Sequence, residues 1–303
     1  MNRRLRDRVG RAADSATWLL FAKIADDRLR GAFSKALVAA RRRDIRRRMV
    51  ARTSLPAPTV TMPASLGFAR CTLADLGATH EVVDEVLRYM EAHPDPEAGT
   101  KPYLVDIPLA GLDRFSALMR FALSPAVVAV AASYLGLVPR LAGVTILESR
   151  AQPGDVAGSQ LFHCDYEDVR QVKIFVGCSD TRSENGPLCA IPAEQSRRVK
   201  SAIHYRYGDT RFRVPDAVVN DHVSADGIEE FTGPPGSVTF IDTSSCFHYG
   251  SRIAPGAAGR LVVQFQYLSP AAFELVFAPT IRRPVLAGAA GATALERMVL
   301  GAG

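Results

Sequence analysis

Among 303 residues there is one tryptophan, and the five cysteines include no CxxC pair. Cys71, Cys164, Cys178, Cys189 and Cys246 are an odd, scattered set, which excludes a disulfide framework and a structural zinc site built on thiolates. They read as buried free thiols in a reducing cytoplasm. Long hydrophobic runs are missing as well: nothing approaches the roughly 20 apolar residues that span a bilayer. The N-terminus starts basic, Met1-Asn2-Arg3-Arg4-Leu5-Arg6, but the apolar stretch Trp18–Ala22 is short and meets Lys23 with no small-residue cleavage pattern after it. A secretory leader is therefore not expected, and a cytoplasmic location is.

What is present is a large apolar fraction, 48%, enough for a substantial core. The formal net charge of +6 hides an asymmetry. Residues 1–53 carry 16 basic against 5 acidic side chains, while the rest of the chain is net acidic. The densest run is Arg41-Arg42-Arg43-Asp44-Ile45-Arg46-Arg47-Arg48. Such a run suits nucleic acid, anionic lipid or an acidic partner. No aromatic residues interleave it as a base-stacking platform requires, so DNA or RNA binding is not expected, and a helix resting on the acidic body is.

Periodicity divides the chain in two. Apolar positions from Trp18 to Ala39 recur at three- and four-residue steps, which predicts one long helix or two shorter ones over 14–50. Ser54-Leu55-Pro56-Ala57-Pro58 breaks it. A short strand is expected at 68–72, a helix from Asp75 to about Met90, and helices at 112–122 and 125–136, the last with Pro125 just inside its start and Gly136 at its end. Beyond Pro139 the pattern becomes strand and turn: 144–149, 172–176, 237–241 and 261–267. Helices followed by strands between tight turns define an α+β domain whose second half is a sandwich or barrel.

One ordered set of residues in that second half carries chemistry. On an extended chain His163 and Asp165 share a face while Cys164 turns away. A third ligand is needed, and of the remaining histidines His248 alone follows a strand and turn and leads, 12 residues on, to Arg260 at the head of the strongest strand. Two imidazoles and a carboxylate on one face of Fe(II) leave positions for a bidentate 2-oxo acid and O2. An arginine fork suits the far carboxylate of that acid.

With Phe162-His163-Cys164-Asp165, Glu184-Asn185-Gly186-Pro187-Leu188-Cys189-Ala190-Ile191-Pro192, Gly236-Ser237-Val238 and His248-Tyr249-Gly250-Ser251 in place, residues 65–270 resemble the phytanoyl-CoA dioxygenase family of Fe(II)/2-oxoglutarate oxygenases. The resemblance implies a double-stranded β-helix (jelly-roll, cupin-like) core flanked by N-terminal helices. It implies His163, Asp165 and His248 as the iron ligands and Arg260 as the anchor of 2-oxoglutarate. Gln152 and Lys173 are further candidates for contact with that cosubstrate. Spacing in the family leaves Arg252, four residues past His248, as a rival to Arg260. A retained Asp165 favours hydroxylation over halogenation.

The expected organisation is a basic helical extension over 1–60, the oxygenase domain over 61–283 and an Ala/Gly-rich tail over 284–303. The expected activity is hydroxylation of an unactivated C–H bond in a small molecule (a lipid, an amino-acid derivative or a natural product), with release of succinate and CO2. Arg197-Arg198-Val199-Lys200 and Tyr205-Arg206-Tyr207 suit an acidic or phosphate-bearing substrate. The alternative from another class is a catalytically silent jelly-roll binding protein, docked to nucleic acid or membrane through its basic helix.

Overall fold

The structure, a computed structural model, describes residues 26–94, 101–109, 111–207, 212–277 and 291–301. The N-terminal part of the expected first helix, and residues 284–290 and 302–303 of the expected tail, lie outside them. Within the described residues, α1 (Asp27–Ala40) and α2 (Arg42–Arg52) break at Arg41. The Asp26 carboxylate caps α1 by accepting from the N–H groups of Arg28 and Leu29, as its position before the first turn dictates. β1 (Phe68–Thr72) follows. The expected helix from Asp75 resolves differently. Ala74–Leu76 is a single tight turn closed by Gly77 at φ 65°, and α3 (Glu81–Ala92) starts four residues later. Asp75 instead ties back to Thr72, accepting from its N–H and hydroxyl at 2.7 and 2.8 Å.

β2 (Leu104–Pro108) precedes α4 (Ala117–Leu123) and α5 (Pro125–Leu135). Ser116 and Ser124 cap these two helices by accepting from Met119 and Val127, and Gly136 ends α5 in the left-handed conformation. Then come β3 (Arg140–Ser149), β4 (Gln171–Gly177), β5 (Leu188–Ala190), α6 (Ala193–Ala202), α7 (Asp216–Asn220), β6 (Glu229–Phe231), β7 (Ser237–Ile241), β8 (His248–Tyr249), β9 (Arg260–Leu268), α8 (Phe273–Phe277) and α9 (Ala294–Leu300).

Two antiparallel sheets face each other. The larger runs β1-β7-β4-β9-β3-β2 and the smaller β6-β5-β8. The smaller sheet is extended past β8 by a bridge between His163 and His248. From β3 onward the chain crosses between sheets in the order of a double-stranded β-helix: β3, 162–163, β4, then β5 and β6, then β7, β8 and β9. This is the jelly-roll core.

Strand alternation explains why the barrel interior is a site and its outside is the core. In β4, Val172, Ile174 and Val176 face outward; in β9, Val263, Phe265 and Tyr267 do the same. They pack with Val144 and Ile146 of β3 against Leu118, Phe121 and Val127 of α4 and α5. The intervening positions, Lys173, Gln264 and Arg260 among them, turn inward and are polar. Among the described residues no single helix is long and apolar enough to cross a membrane, and α4 and α5 spend their apolar faces on the sheet.

The basic N-terminal helices lie on this body. Arg48 is 2% exposed. Its guanidinium donates to the carbonyls of Val138 and Pro139 at 3.1 and 3.3 Å and to Asp44 at 3.1 Å. Arg30 is buried too; it donates to the carbonyl of Tyr166 and lies over the rings of Tyr207 and Phe273. Arg41, Arg42, Arg43, Arg46 and Arg47 stay exposed. At the other end, α9 delivers a fully buried Val299 to the main core. Replacing Arg48 with Met keeps the apolar stem but strands two buried carbonyls. Arg48→Met is expected to lower stability by roughly 2 kcal/mol in denaturant unfolding.

Candidate metal centre and its cavity

The site is built from one backbone pairing. His163 and His248 are directly opposed across 162–163 and β8, and each donates its N–H to the other's carbonyl, at 3.1 and 3.0 Å. Opposed residues of an antiparallel pair present side chains on the same face. The two imidazoles therefore stand together, with ring centroids 4.3 Å apart. Asp165 returns to that face two residues on, where its N–H is held by the carbonyl of Thr243 at 2.8 Å.

Each imidazole is then oriented by its own backbone. Nδ1 of His163 meets the carbonyl of Leu161 at 2.8 Å, and Nδ1 of His248 meets the carbonyl of Cys246 at 3.1 Å. A carbonyl can only accept, so Nδ1 carries the proton in both rings and Nε2 keeps a lone pair. Both Nε2 atoms point to Asp165, at 3.8 Å from Oδ1 for His163 and 3.7 Å from Oδ2 for His248. All three ligand atoms fit within 4.8 Å of one another. Burial pushes the imidazolium forms of both histidines down, so both rings are neutral at pH 7, as ligation requires.

Burial pushes the Asp165 carboxyl up, but the Lys173 ammonium 2.7 Å from Oδ2 and the flanking His248 and His163 together outweigh it and hold the group well below the usual carboxylate range. Lys173 also reaches Glu167 at 3.5 Å. Neutral nitrogen donors beside an ionised oxygen donor are a fitting ligand set for a divalent first-row metal.

The three side chains open onto a cavity of about 220 Å³. Thr145, Leu147, Phe175 and Gln264 of the large sheet form one wall, and Leu188, Tyr249 and Ser251 of the other side close it. Arg260, paired with Ser149 at the head of β9, lines the same cavity. It is 6% exposed, its Nε has no hydrogen-bond acceptor, and burial brings its pKa down only to about 10. It thus stays charged at neutral pH. Gly250 leaves room for it: a Cβ there would stand 3.3 Å from an Nη of Arg260.

The other sequence candidates sort differently. Lys173 lines the cavity, but its ammonium is engaged with Asp165. Gln152 sits on an exposed stretch after β3 and is not among the residues lining the cavity. Arg252 forms a two-point pair with Asp216 at 2.6 and 2.8 Å, donates to the carbonyl of Gln160 and stacks on Tyr249. Arg197, Lys200, Tyr205, Arg206 and Tyr207 line a separate cleft of about 850 Å³. Arg213, Phe212 and Lys101 line the metal cavity and were not anticipated. They lie in irregular segments whose side-chain directions no periodicity reveals.

Asp168, three residues past Asp165, is 4% exposed. Burial pushes its carboxyl up to about 7 against the N–H of Val169; Asp242 and Glu167 push the same way and Arg30 opposes them.

No family model matches the chain, and no curated protein matches it. Solved structures share its path at low identity. EctD from S. alaskensis in its apoform is 19% identical, with a TM-score of 0.49 over 79% of this chain and 87% of that one. The epimerase SnoN in complex with Fe3+, alpha ketoglutarate and nogalamycin RO is 16% identical, with a TM-score of 0.47 over 68% and 80%. HygX from Streptomyces hygroscopicus with nickel and 2-oxoglutarate bound is 17% identical, with a TM-score of 0.44 over 68% and 83%. The likeness is one of chain path, and the jelly-roll assignment stands on the strand order itself.

The Asp168 carboxyl has an ordinary pKa of 3.8, raised to about 7 in the folded protein. The folded state holds a proton that the unfolded chain releases between those values. The cost of ionising the buried group is therefore absent below pH 4, grows through that window and is complete above pH 7. Asp168→Asn is expected to be more stable than the parent at pH 8, by as much as ~4 kcal/mol, with the gain gone at pH 4, in urea unfolding at the two pH values.

Proposed function

We propose that this protein is an Fe(II)- and 2-oxoglutarate-dependent oxygenase that hydroxylates a C–H bond of a small molecule, akin to the phytanoyl-CoA dioxygenase family. The overall reaction joins substrate, 2-oxoglutarate and O2 to give hydroxylated product, succinate and CO2. One observation carries this reading: a two-histidine, one-carboxylate cluster and a buried, unpaired guanidinium share one cavity. A metal enzyme with no organic acid to bind leaves that guanidinium without a purpose, and its desolvation is costly.

His163, Asp165 and His248 would hold the iron, and Arg260 the distal carboxylate of 2-oxoglutarate. Iron bound there with the 2-oxo acid supplies the activation of O2, the 2-oxo acid giving two electrons as it decarboxylates. The protein's own residues do the rest. Leu161 and Cys246 fix the imidazole tautomers through their carbonyls. Lys173 keeps Asp165 ionised and stops it rotating away from the histidines. Leu147, Phe175 and Leu188 give the cavity apolar walls that limit water near the reacting centre. Arg252 is committed to Asp216, and that leaves Arg260 as the cosubstrate anchor.

The test needs no substrate. Fe(II) and 2-oxoglutarate added to the protein without oxygen are expected to give the weak visible charge-transfer band of a chelated 2-oxo acid. His248→Ala and Asp165→Ala should abolish both the band and 2-oxoglutarate consumption in air. Arg260→Ala should weaken 2-oxoglutarate binding about thirtyfold, the equivalent of ~2 kcal/mol for a charge-assisted pair. Arg252→Ala should leave that binding unchanged. A band that survives Arg260→Ala but not Arg252→Ala reverses the anchor assignment; no band in metal-loaded wild type overturns the function.

A further inference from the structure

We infer that the substrate of this cavity carries a carboxylate or phosphate group and that Arg213 receives it; the inference rests on the oxygenase reading above. The cavity's charged side chains can be accounted for one at a time. Lys173 is paired with Asp165 and Glu167. Arg260 is assigned to 2-oxoglutarate. Asp165 belongs to the metal cluster. Asp106 is exposed and Lys101 half-buried, and neither has a side-chain nitrogen or oxygen that is both buried and without a partner, so water can satisfy both. Arg213 remains.

Arg213 lines the cavity, and its Nη1 is buried with no hydrogen-bond acceptor. No carboxylate among the described residues forms a salt bridge with it. Burial drives the guanidinium pKa down while Asp165 holds it up, which places Arg213 within electrostatic reach of the metal cluster. A buried donor facing a cavity with no acceptor of its own is what a ligand's acceptor would complete. A guanidinium fork binds a carboxylate or phosphate by two parallel hydrogen bonds.

The neighbouring residue fixes where the rest of the substrate goes. The guanidinium lies 4.5 Å from the Phe212 ring. That ring stands edge-on to His163, 6.0 Å between centroids, and 5.4 Å from Tyr166. An anion on Arg213 therefore lays the substrate's body along Phe212 and Tyr166, toward the ligands His163 and Asp165. With a cavity of about 220 Å³, that body is compact.

The experiment titrates benzoate, phenyl phosphate and benzamide onto the anaerobic Fe(II)/2-oxoglutarate complex at fixed ionic strength, reading the shift of the visible band. In the wild type benzoate or phenyl phosphate is expected to bind at least tenfold more tightly than benzamide, and whichever of the two binds better identifies the anion. Arg213→Met should remove that preference while keeping the band, and Arg213→Lys should restore part of it. An unchanged preference in Arg213→Met, or no anion preference in the wild type, overturns the inference while the oxygenase reading stands. Loss of the band itself in Arg213→Met assigns the residue to the cosubstrate or to the fold, and overturns it as well. Absence of the band in the wild type is the separate failure of the oxygenase reading.

Discussion

The reciprocal pair of backbone hydrogen bonds between His163 and His248 is the constraint on which the site depends. It joins two segments 85 residues apart in the chain, and in antiparallel geometry it leaves their side chains no choice of face. A slip of one residue would place Cys164 or Phe247, both fully buried, where an imidazole must stand. The register is held from both sides: Phe162 bridges Val214, and Ile191 donates to the carbonyl of Phe247. Asp242 holds the adjoining turn. Its buried carboxylate accepts from Tyr134, from the hydroxyl of Ser245 and from the N–H of Ser244. The next residue, Thr243, offers the carbonyl that fixes Asp165.

Around this pairing the barrel divides its labour by strand alternation. The outward positions of β3, β4, β7 and β9 make the apolar core with α4 and α5, and that core carries the stability of the domain. The inward positions are thereby released from packing and can be polar. Lys173, Gln264 and Arg260 inside a barrel would be costly in a purely structural protein. Here the cost is partly offset by pairing, as between Lys173 and Asp165, and partly left standing, as at Arg260 and Arg213.

Much of this arrangement was legible in the sequence. The strands expected at 144–149, 172–176, 237–241 and 261–267 all form, β3 starting four residues earlier at Arg140, and α5 announces itself through its Pro125 start and Gly136 stop. The His163–Asp165 spacing works because two-residue steps share a face of an extended chain. The short strands β5, β6 and β8 were not legible: two or three residues give no period, and tertiary pairing alone creates them. Asp75 shows the limit of capping rules. A carboxylate near a helix start can as well satisfy the turn before it, and Thr72 won.

Arginine shows the deeper limit. Six arginines matter to this structure, and their residue type says nothing about which are structural. Arg30 and Arg48, from the basic N-terminal segment, are buried in contact with backbone carbonyls of the body. Arg30 grips the carbonyl of Tyr166, next to Asp165 of the candidate cluster, so the N-terminal helix helps to hold that loop. Arg252 is two-point bonded to Asp216. Arg170 lies over Tyr134, which in turn holds Asp242. Each of these four has a partner within the chain. A buried nitrogen with no acceptor also occurs on Arg30, Arg114 and Arg140, but among the described residues Arg260 and Arg213 are the arginines that combine one with a place in the cavity of the His163–Asp165–His248 cluster. A partner is a property of three-dimensional neighbours, which spacing along the chain cannot encode. The same guanidinium is therefore a fastener where it is packed against the fold's own carbonyls and rings, and a binding group where a donor left without an acceptor lines a cavity.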